Sequence, residues 1–243
     1  MNTDKRRLWK QAFGDSDAFL DLFFGTAFSK ERSLCAVDGD SVAAALYWLD
    51  CETAGEKTAY LYAVATDEAF RGRGLCRRLM DETHTRLREN GYASAVLVAA
   101  DPALAAMYRK MGYHAFYHVE MRVVAAAETA VPLVRLTPSA FAAKRRLRLP
   151  PDAVVQEGDN LRFLAAQYGL YEGTDFLLVA RREDDRLQVA ECLGNCPSLG
   201  GVVAALGCRE GTFCLPNGDR PFAMWYPLTE TATPPRYFGW AFD

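Results

Sequence analysis

A glycine-punctuated turn that leads directly into an amphipathic helix constrains the fold of this chain more than any other feature. An apolar strand candidate at residues 59–66 precedes the turn FRGRG at residues 70–74, and a helical pattern continues to Asn90-Gly91. The buried stripe of this helix consists of four residues at helical spacing: Leu75, Leu79, Thr83 and Leu87. The nearly continuous apolar stretch of residues 92–101 follows, which is typical of a strand covered on both faces. The pattern therefore predicts a strand–helix–strand unit.

The flanking sequence extends this unit on both sides. Upstream, residues 5–28 place apolar and aromatic side chains at helical spacing around a Gly-Asp-Ser break, which predicts two short helices. Two apolar strands joined by Asp-Gly-Asp then predict a hairpin. Downstream, a helix begins at Pro102 and stops at Gly112, and residues 114–124 follow as a strand pair or one long strand.

The second half of the chain repeats this order in reduced form. After a linker at residues 125–132, a hairpin turns at Glu183-Asp184-Asp185, and a short helix covers residues 197–207. Three strand candidates follow: EGTFCLP, PFAMWYPL and YFGWAFD. We interpret this as a degenerate internal repeat, with a first domain at residues 1–126 and a second at residues 133–243.

Charge and hydropathy exclude several classes of protein. The formal net charge of -3 and the pI near 5.7 disfavour general nucleic-acid affinity, which needs a basic face. No apolar run is long enough to span a membrane, and no apolar signal core follows the basic N-terminus. The sequence therefore predicts a cytoplasmic protein without nucleic-acid or membrane partners.

The seven cysteines are interpreted as reduced thiols, because they lie in apolar stretches and lack the density of a disulfide scaffold. Four of them are close in sequence and offer a structural zinc site as an alternative: Cys192, Cys196, Cys208 and Cys214. Their spacing is not that of two CxxC knuckles, so no metal site is predicted.

The glycine-rich turn has the chemistry of an anion site. A helix N-terminus carries unpaired N–H groups and partial positive charge. Gly72 and Gly74 let the backbone approach a phosphate, and Arg71 and Arg73 add charge-assisted donors. Neither a Walker loop nor the dinucleotide GxGxxG is present, since no Gly-Lys-Ser/Thr and no third glycine follow.

The hexapeptide at residues 71–76, Arg-Gly-Arg-Gly-Leu-Cys, resembles the acetyl-CoA motif Arg/Gln-x-x-Gly-x-Gly/Ala of the GNAT N-acetyltransferase superfamily. Downstream, DPALAAMYRKMGYHAF is similar to the family's Asn-x-x-Ala-x-x-x-Tyr-x-x-x-Gly-Phe helix, with Tyr108, Gly112 and Tyr113 matching. The resemblance covers residues 5–124. Cys76 departs from the usual Gly or Ala, and Asp101 stands where the family often has Asn.

The resemblance implies the GNAT fold of the α/β (α+β) class, a mixed and mostly antiparallel sheet with helices on both faces. The second half has neither motif, so it is similar to a smaller GNAT-like half that has lost cofactor binding. Its implied roles are to complete the sheet and to wall a substrate cleft. Six late aromatic residues line such a cleft or form a domain core: Trp225, Tyr226, Tyr237, Phe238, Trp240 and Phe242.

The resemblance also implies acetyl-CoA as co-substrate and direct acetyl transfer to an amine of a small molecule or peptide. Its diphosphate would lie on the N–H groups of residues 72–76, and its pantetheine arm between two splayed strands. The implied cofactor-binding residues are Val64, Ala65, Thr66, Arg71, Gly72, Arg73, Gly74, Leu75, Cys76 and Asp101. Tyr108 is implied as the general acid that protonates the departing thiolate; its alternative role is a core aromatic. Homodimer formation is left open.

The sequence does not identify the general base. The strand before the motif carries no Glu, which leaves Glu120, His118 or a water chain, and the C-terminal carboxylates of Asp243 are a further hypothesis. His84 is predicted to lie on the surface. The runner-up function is a non-catalytic acyl-CoA sensor or interaction module. A nucleic-acid-binding role for the basic runs at residues 71–78 and 144–148 is disfavoured by the net acidity.

Overall fold

The chain forms two units of similar element order in a computed structural model, which describes residues 2–242. The described residues up to His114, together with Met224–Pro234, form the first unit. Ala115–Ala223 and the residues from Pro235 onward form the second. Residues 115–126, placed in the first domain by the sequence, thus belong to the second unit, and residues 224–234 belong to the first.

The elements of residues 5–124 follow the predicted order. The first part of the chain contains α1 (Asn2–Phe13), α2 (Asp17–Thr26), β1 (Ser33–Asp38), β2 (Ser41–Thr53), β3 (Glu56–Thr66), a 3-10 turn (Glu68–Phe70), α3 (Leu75–Glu89), β4 (Ser94–Val98) and α4 (Pro102–Arg109). The remainder contains β5 (His114–Ala125), β6 (Val134–Arg135), α5 (Pro138–Arg148), α6 (Asp159–Ala165), β7 (Gly169–Glu172), β8 (Phe176–Glu183), β9 (Arg186–Gly194), α7 (Leu199–Ala205), β10 (Glu210–Pro216) and β11 (Arg220–Pro227).

In the first unit the strand order is β1-β2-β3-β4, followed by the Met224–Pro227 part of β11. The β1/β2 and β2/β3 pairs are antiparallel, and β3/β4 is parallel with α3 as the crossover. Strand β4 is buried along nearly its whole length, which confirms the prediction of a strand covered on both faces. One apolar core packs α3 and α4 against this sheet through residues such as Leu46, Leu61, Leu79 and Leu97.

The second unit has the strand order β5-β10-β9-β8-β7-β6. Its β9/β10 pair is parallel and is connected by α7, while the neighbouring pairs are antiparallel. Each unit therefore contains an antiparallel hairpin, a crossover helix and a parallel strand in that order. This confirms the internal repeat and the mixed, mostly antiparallel architecture predicted from the sequence.

Local sequence signals mark the starts of several helices and the turn of a hairpin. The predicted break before α2 is confirmed, since the Ser16 side chain caps that helix by accepting a hydrogen bond from the Phe19 N–H. The predicted hairpin of the second half is confirmed as β8/β9. Helices α5 and α6 were not predicted, although Thr137 caps α5 and Pro138 occupies its first turn.

The prediction of a strand at YFGWAFD is wrong. Within the described residues this segment has one isolated bridge, between Tyr237 and Ala153, and no strand. Gly239 has a left-handed φ of 86°, which interrupts an extended chain. The Gln156 amide instead donates hydrogen bonds to the carbonyls of Phe238 and Trp240, both at 3.0 Å.

The basic run at residues 144–148 is largely neutralised within the second unit. Arg145 makes a bidentate ion pair with Glu191 at 2.8 Å, and both side chains are buried. Lys144 and Arg148 pair with Glu172, and Arg146 pairs with Glu157. This pairing is that of a folded unit rather than of a free basic patch.

No helix of residues 2–242 combines the length and the apolar character needed to cross a membrane. The seven cysteines are free thiols, and no group of three or more His, Cys, Asp or Glu side chains in the described chain is arranged to hold a metal ion.

Candidate active site

Strand β3 has a β-bulge near its C-terminal end, beyond the point where its pairing with β4 ends. In the pairing with β2, Ala45 stands opposite Ala65 and Tyr47 opposite Tyr62, so two residues of β3 face one residue of β2. Ala63, within the bulge, has a left-handed φ of 49°, which is strained for a residue with a side chain. The parallel ladder with β4 ends at Tyr60, whereas β3 continues to Thr66. The end of β3 is therefore free to face a ligand.

The N-terminus of α3 lies at the end of the glycine-rich turn and carries no side-chain cap. Gly74 is the N-cap residue, and the Arg78 N–H makes the first intrahelical bond, to the Gly74 carbonyl at 3.1 Å. No side-chain cap and no acidic first-turn residue serve the preceding N–H groups. Gly72 and Gly74 have φ of 76° and 72°, a conformation that favours glycine. The turn thus presents backbone donors with the partial positive charge of a 15-residue helix.

Helix α4 places Tyr108 beside this turn. Asp101 caps the helix by accepting a hydrogen bond from the Leu104 N–H at 2.8 Å, and Pro102 occupies the first turn. Tyr108 is only 6% exposed, and its ring meets that of Tyr113 edge-on at 5.8 Å. Burial raises the pKa of Tyr108 well above its usual value, with a smaller contribution from Cys76, so the hydroxyl stays protonated at neutral pH.

These elements surround one cavity of about 660 Å³ in the first unit. Ten of the predicted site residues line it: Val64, Ala65, Thr66, Arg71, Gly72, Gly74, Leu75, Cys76, Asp101 and Tyr108. The lining also includes seven residues outside the predicted set: Ala12, Phe13, Phe70, Arg77, Leu104, Met107 and Met111. The exposed ring of Phe13, at the end of α1, carries no local signal that points to this site.

Arg73 is the predicted site residue that does not line the cavity. Its guanidinium lies 5.1 Å from the centre of the Phe70 ring and 3.6 Å from the Asp38 carboxylate. Arg71 and Arg77 do line the cavity, and Arg71 also makes an exposed ion pair with Glu68. The basic contribution to the cavity therefore comes from positions 71 and 77 together with the bare helix end.

Cys76 and Asp101, the two departures from the family pattern, both line the cavity and are both engaged by neighbouring residues. The Cys76 side chain is partly buried against the core, and this burial raises the pKa of its thiol, so the neutral form dominates. The Asp101 carboxylate is engaged as the cap of α4. As the single carboxylate among the lining residues of the described chain, it is the one acidic group beside the cavity.

Two of the candidate general bases, Glu120 and His118, are not among the described residues that line the cavity. Glu120 and His118 lie on β5 in the second unit. Glu120 is held by a bidentate contact to Arg122, which lowers the pKa of its carboxyl and weakens it as a base. The hypothesis on Asp243 falls outside the described residues.

The surface placement predicted for His84 is wrong. His84 is 3% exposed, and its Nε2 lies 2.7 Å from the Tyr113 hydroxyl oxygen. Its ring stacks on Tyr226 with centroids 4.2 Å apart and an interplanar angle of 8°. Burial, assisted by Arg88, lowers the pKa of His84 to about 4. The sequence could not reveal this because Tyr226 arrives from the distant strand β11.

The late aromatic residues are divided between the two units. Trp225 and Tyr226 belong to the first unit, whereas the others belong to the second. In the second unit Phe238 and Trp240 are fully buried, and the Tyr237 hydroxyl donates a hydrogen bond to Glu191 at 2.8 Å. Trp240 also covers the Arg145 guanidinium at 4.0 Å. These three residues are therefore part of the core of their unit.

Comparison with known proteins agrees with this geometry. Residues 3–116 match the acetyltransferase (GNAT) domain family. No curated protein sequence matches the chain. Among solved structures, a GCN5-related N-acetyltransferase from Kribbella flavida is 19% identical with a TM-score of 0.66, and the match covers 93% of this chain and 68% of that one. A putative acetyltransferase from Pyrococcus horikoshii is 13% identical with a TM-score of 0.64, over 98% and 89% of the two chains.

A tandem GNAT protein from the clavulanic acid biosynthesis pathway is 12% identical with a TM-score of 0.54, and the match covers 89% of each chain. At these identities the structural likeness concerns the fold, and it extends over both halves of the chain. The family match lies on the half that holds the glycine-rich turn, the bulged strand and Tyr108. Residues 3–116 thus match a GNAT acetyltransferase domain, and the fold of the whole chain, with its reduced repeat in the second half, is similar to that of a tandem GNAT protein.

Proposed function

We propose that this chain is an acetyl-CoA-dependent N-acetyltransferase that transfers the acetyl group directly to a primary amine of a small molecule or protein. The observation that carries the proposal is the shared cavity, in which the uncapped end of α3, the bulged end of β3 and Tyr108 meet. Seven free cysteines support the proposed cytoplasmic setting, where thiols stay reduced.

The turn fits a diphosphate. A side chain at Gly72 would meet no atom within 4 Å, so the backbone there is open to a ligand. The N–H groups of Leu75, Cys76 and Arg77 precede the first intrahelical bond and are the donors that the first turn offers to phosphate oxygens. Arg71 and Arg77 contribute positive charge to the same wall.

Acetyl-CoA, when bound, supplies the acetyl thioester. The free edge of β3 at Val64–Thr66 then offers backbone donors and acceptors that orient the pantetheine arm and stabilise charge on the carbonyl oxygen. The apolar walls, including Leu104, Met107 and Met111, exclude water. Tyr108 holds its proton because burial raises its pKa, and it is the group that donates to the departing thiolate.

Release of CoA thiol across a panel of amines, measured beside calorimetric binding of acetyl-CoA, tests the proposal. Turnover is expected with at least one amine. Tyr108→Phe is expected to lower kcat about 100-fold, within the range for loss of one acid catalyst, with little change in acetyl-CoA affinity. A loss of less than a few-fold in kcat would remove Tyr108 from the mechanism.

The runner-up function is a non-catalytic acyl-CoA sensor. It is favoured by one observation, that Asp101 is the single carboxylate among the described lining residues and is already engaged as a helix cap. Tight binding of acetyl-CoA without turnover on any amine would select the sensor over the enzyme.

A further inference from the structure

A polar and aromatic cluster lies behind Tyr108, on the side of α4 that packs into the core of the first unit. It consists of His84, Arg88, Tyr113 and Tyr226, supplied by α3, the turn after α4, and β11. Its His84 and Tyr113 side chains are buried, whereas Arg88 is exposed. None of these four residues lines the cavity. Their arrangement therefore has no direct contact with the proposed ligand.

Contacts within the cluster fix Tyr113 from three directions. The hydroxyl oxygen of Tyr113 lies 2.7 Å from His84 Nε2, and its ring lies 5.2 Å from that of Tyr226. Its N–H donates to the Tyr108 carbonyl at 3.1 Å. Tyr113 is 1% exposed, so its hydroxyl has no access to bulk water in place of His84.

The cluster is itself anchored at its far side. Arg88 donates to the Leu228 carbonyl at 3.0 Å and reaches the Tyr226 hydroxyl at 3.4 Å. Because His84 stacks on Tyr226, its imidazole cannot turn away from Tyr113 without losing that stack.

We infer that His84 is a positioning residue, which through its hydrogen bond to Tyr113 holds the Tyr108 ring at the wall of the cavity. The expected effect on kcat rests on the proposed function, whereas the expected effect on the position of the Tyr108 ring does not. Tyr113 meets Tyr108 twice, through an edge-on ring contact at 5.8 Å and through the backbone hydrogen bond. Loss of the His84 bond frees the Tyr113 hydroxyl end and lets both rings move.

Three variants separate positioning from general stability. Tyr113→Phe removes only the hydroxyl, and His84→Leu removes its partner. Tyr92→Phe is the matched control, since it removes another buried hydroxyl of the same unit, one that binds Asp50 instead. Tyr113→Phe and His84→Leu are expected to lower kcat about tenfold with KM for acetyl-CoA within twofold, whereas Tyr92→Phe is expected to change neither by more than twofold.

A double-mutant cycle with Tyr108→Phe shows whether the loss of kcat in Tyr113→Phe depends on the Tyr108 hydroxyl. If His84 acts through Tyr108, adding Tyr113→Phe to Tyr108→Phe produces no further loss of kcat. An equal tenfold loss in both backgrounds would show a general structural role and overturn the inference.

Fluorine NMR of 3-fluorotyrosine at position 108 gives a readout that needs no turnover. We expect one narrow resonance in the parent and in Tyr92→Phe, and a broadened or second resonance in Tyr113→Phe and His84→Leu. If the parent transfers acetyl groups but its spectrum and kcat survive Tyr113→Phe, the inference fails and the proposed function stands. If the parent shows no turnover, the proposed function fails, and the fluorine spectrum alone decides the positioning.

Discussion

Protonation of His84 should lower the free energy of unfolding of the first unit when the pH falls from 7 to 5, and the size of this contribution follows from its pKa. His84 is buried, with 3% exposure, and its pKa falls from 6.5 in the unfolded chain to about 4 in the fold. The charged and titratable groups around it are Arg88 and Asp81 on α3, the Tyr113 hydroxyl, and Tyr226 of β11. Burial is the main cause of the shift, and Arg88 adds to it.

The sign follows from proton binding. Between pH 6.5 and about 4 the unfolded chain holds a proton on His84 that the folded chain does not, so the free energy of unfolding falls as the pH falls through that window. Integrated between pH 7 and pH 5, these two pKa values correspond to a loss of about 2 kcal/mol, and the full shift to about 3 kcal/mol. Above pH 7 the contribution of His84 is constant.

Urea unfolding of the parent, His84→Gln and the exposed-histidine control His114→Gln at pH 7 and pH 5 measures this contribution. The control should lose as much stability on acidification as the parent, and His84→Gln should lose about 2 kcal/mol less. Unfolding is followed by ring-sensitive near-ultraviolet circular dichroism and by tryptophan fluorescence, since two units need not unfold together. Equal losses in His84→Gln and the parent would refute the assignment of a depressed pKa to a buried imidazole.

Three further predictions concern other parts of the chain. Gly72→Ala is expected to weaken acetyl-CoA binding about tenfold in calorimetry, because an L-residue at a φ of 76° costs about 1–2 kcal/mol and the free turn relieves this strain by leaving the conformation that binds, although the methyl group meets no neighbour. Asp101→Ala should cost about 1 kcal/mol in urea unfolding through loss of the α4 cap, and Asp101→Asn should cost far less. Arg145→Met should cost about 3–5 kcal/mol because it strands the buried Glu191 carboxylate, and the double variant with Glu191→Leu should recover most of that loss.

Features set by neighbouring residues could be predicted from the sequence. The glycine-rich turn, the α3 stripe and the start of α4 at Pro102 depend on local backbone preference and on helical spacing. Ten of the predicted site residues meet in one cavity because β3, the turn and α3 are consecutive in the chain, and α4 follows after one further strand.

Features that depend on residues distant in the chain could not be predicted from the sequence. His84 stands among charged residues of α3, and its burial depends on Tyr226, which is supplied by β11. Strand β5 follows α4 directly in sequence, yet its residues from Ala115 onward belong to the second unit. The terminal aromatic run has strand composition, but Gln156 and the left-handed Gly239 hold it in an irregular path. In each case the deciding contact lies far away in the chain.

The N-terminus of α3 shows where stability and the proposed function oppose each other. The seven-residue α6 begins at Gly158 without a side-chain cap. Other helices of the same chain have one, as α2 has Ser16 and α4 has Asp101, and each such cap contributes about 1 kcal/mol. The 15-residue α3 instead begins at a left-handed Gly74 without a cap. A serine or aspartate in its place would occupy the N–H groups that the proposed diphosphate needs, and an aspartate would add repulsion. The left-handed φ of Gly74 already favours glycine, and the N–H groups that it leaves without a side-chain cap are the groups that the proposed diphosphate would satisfy.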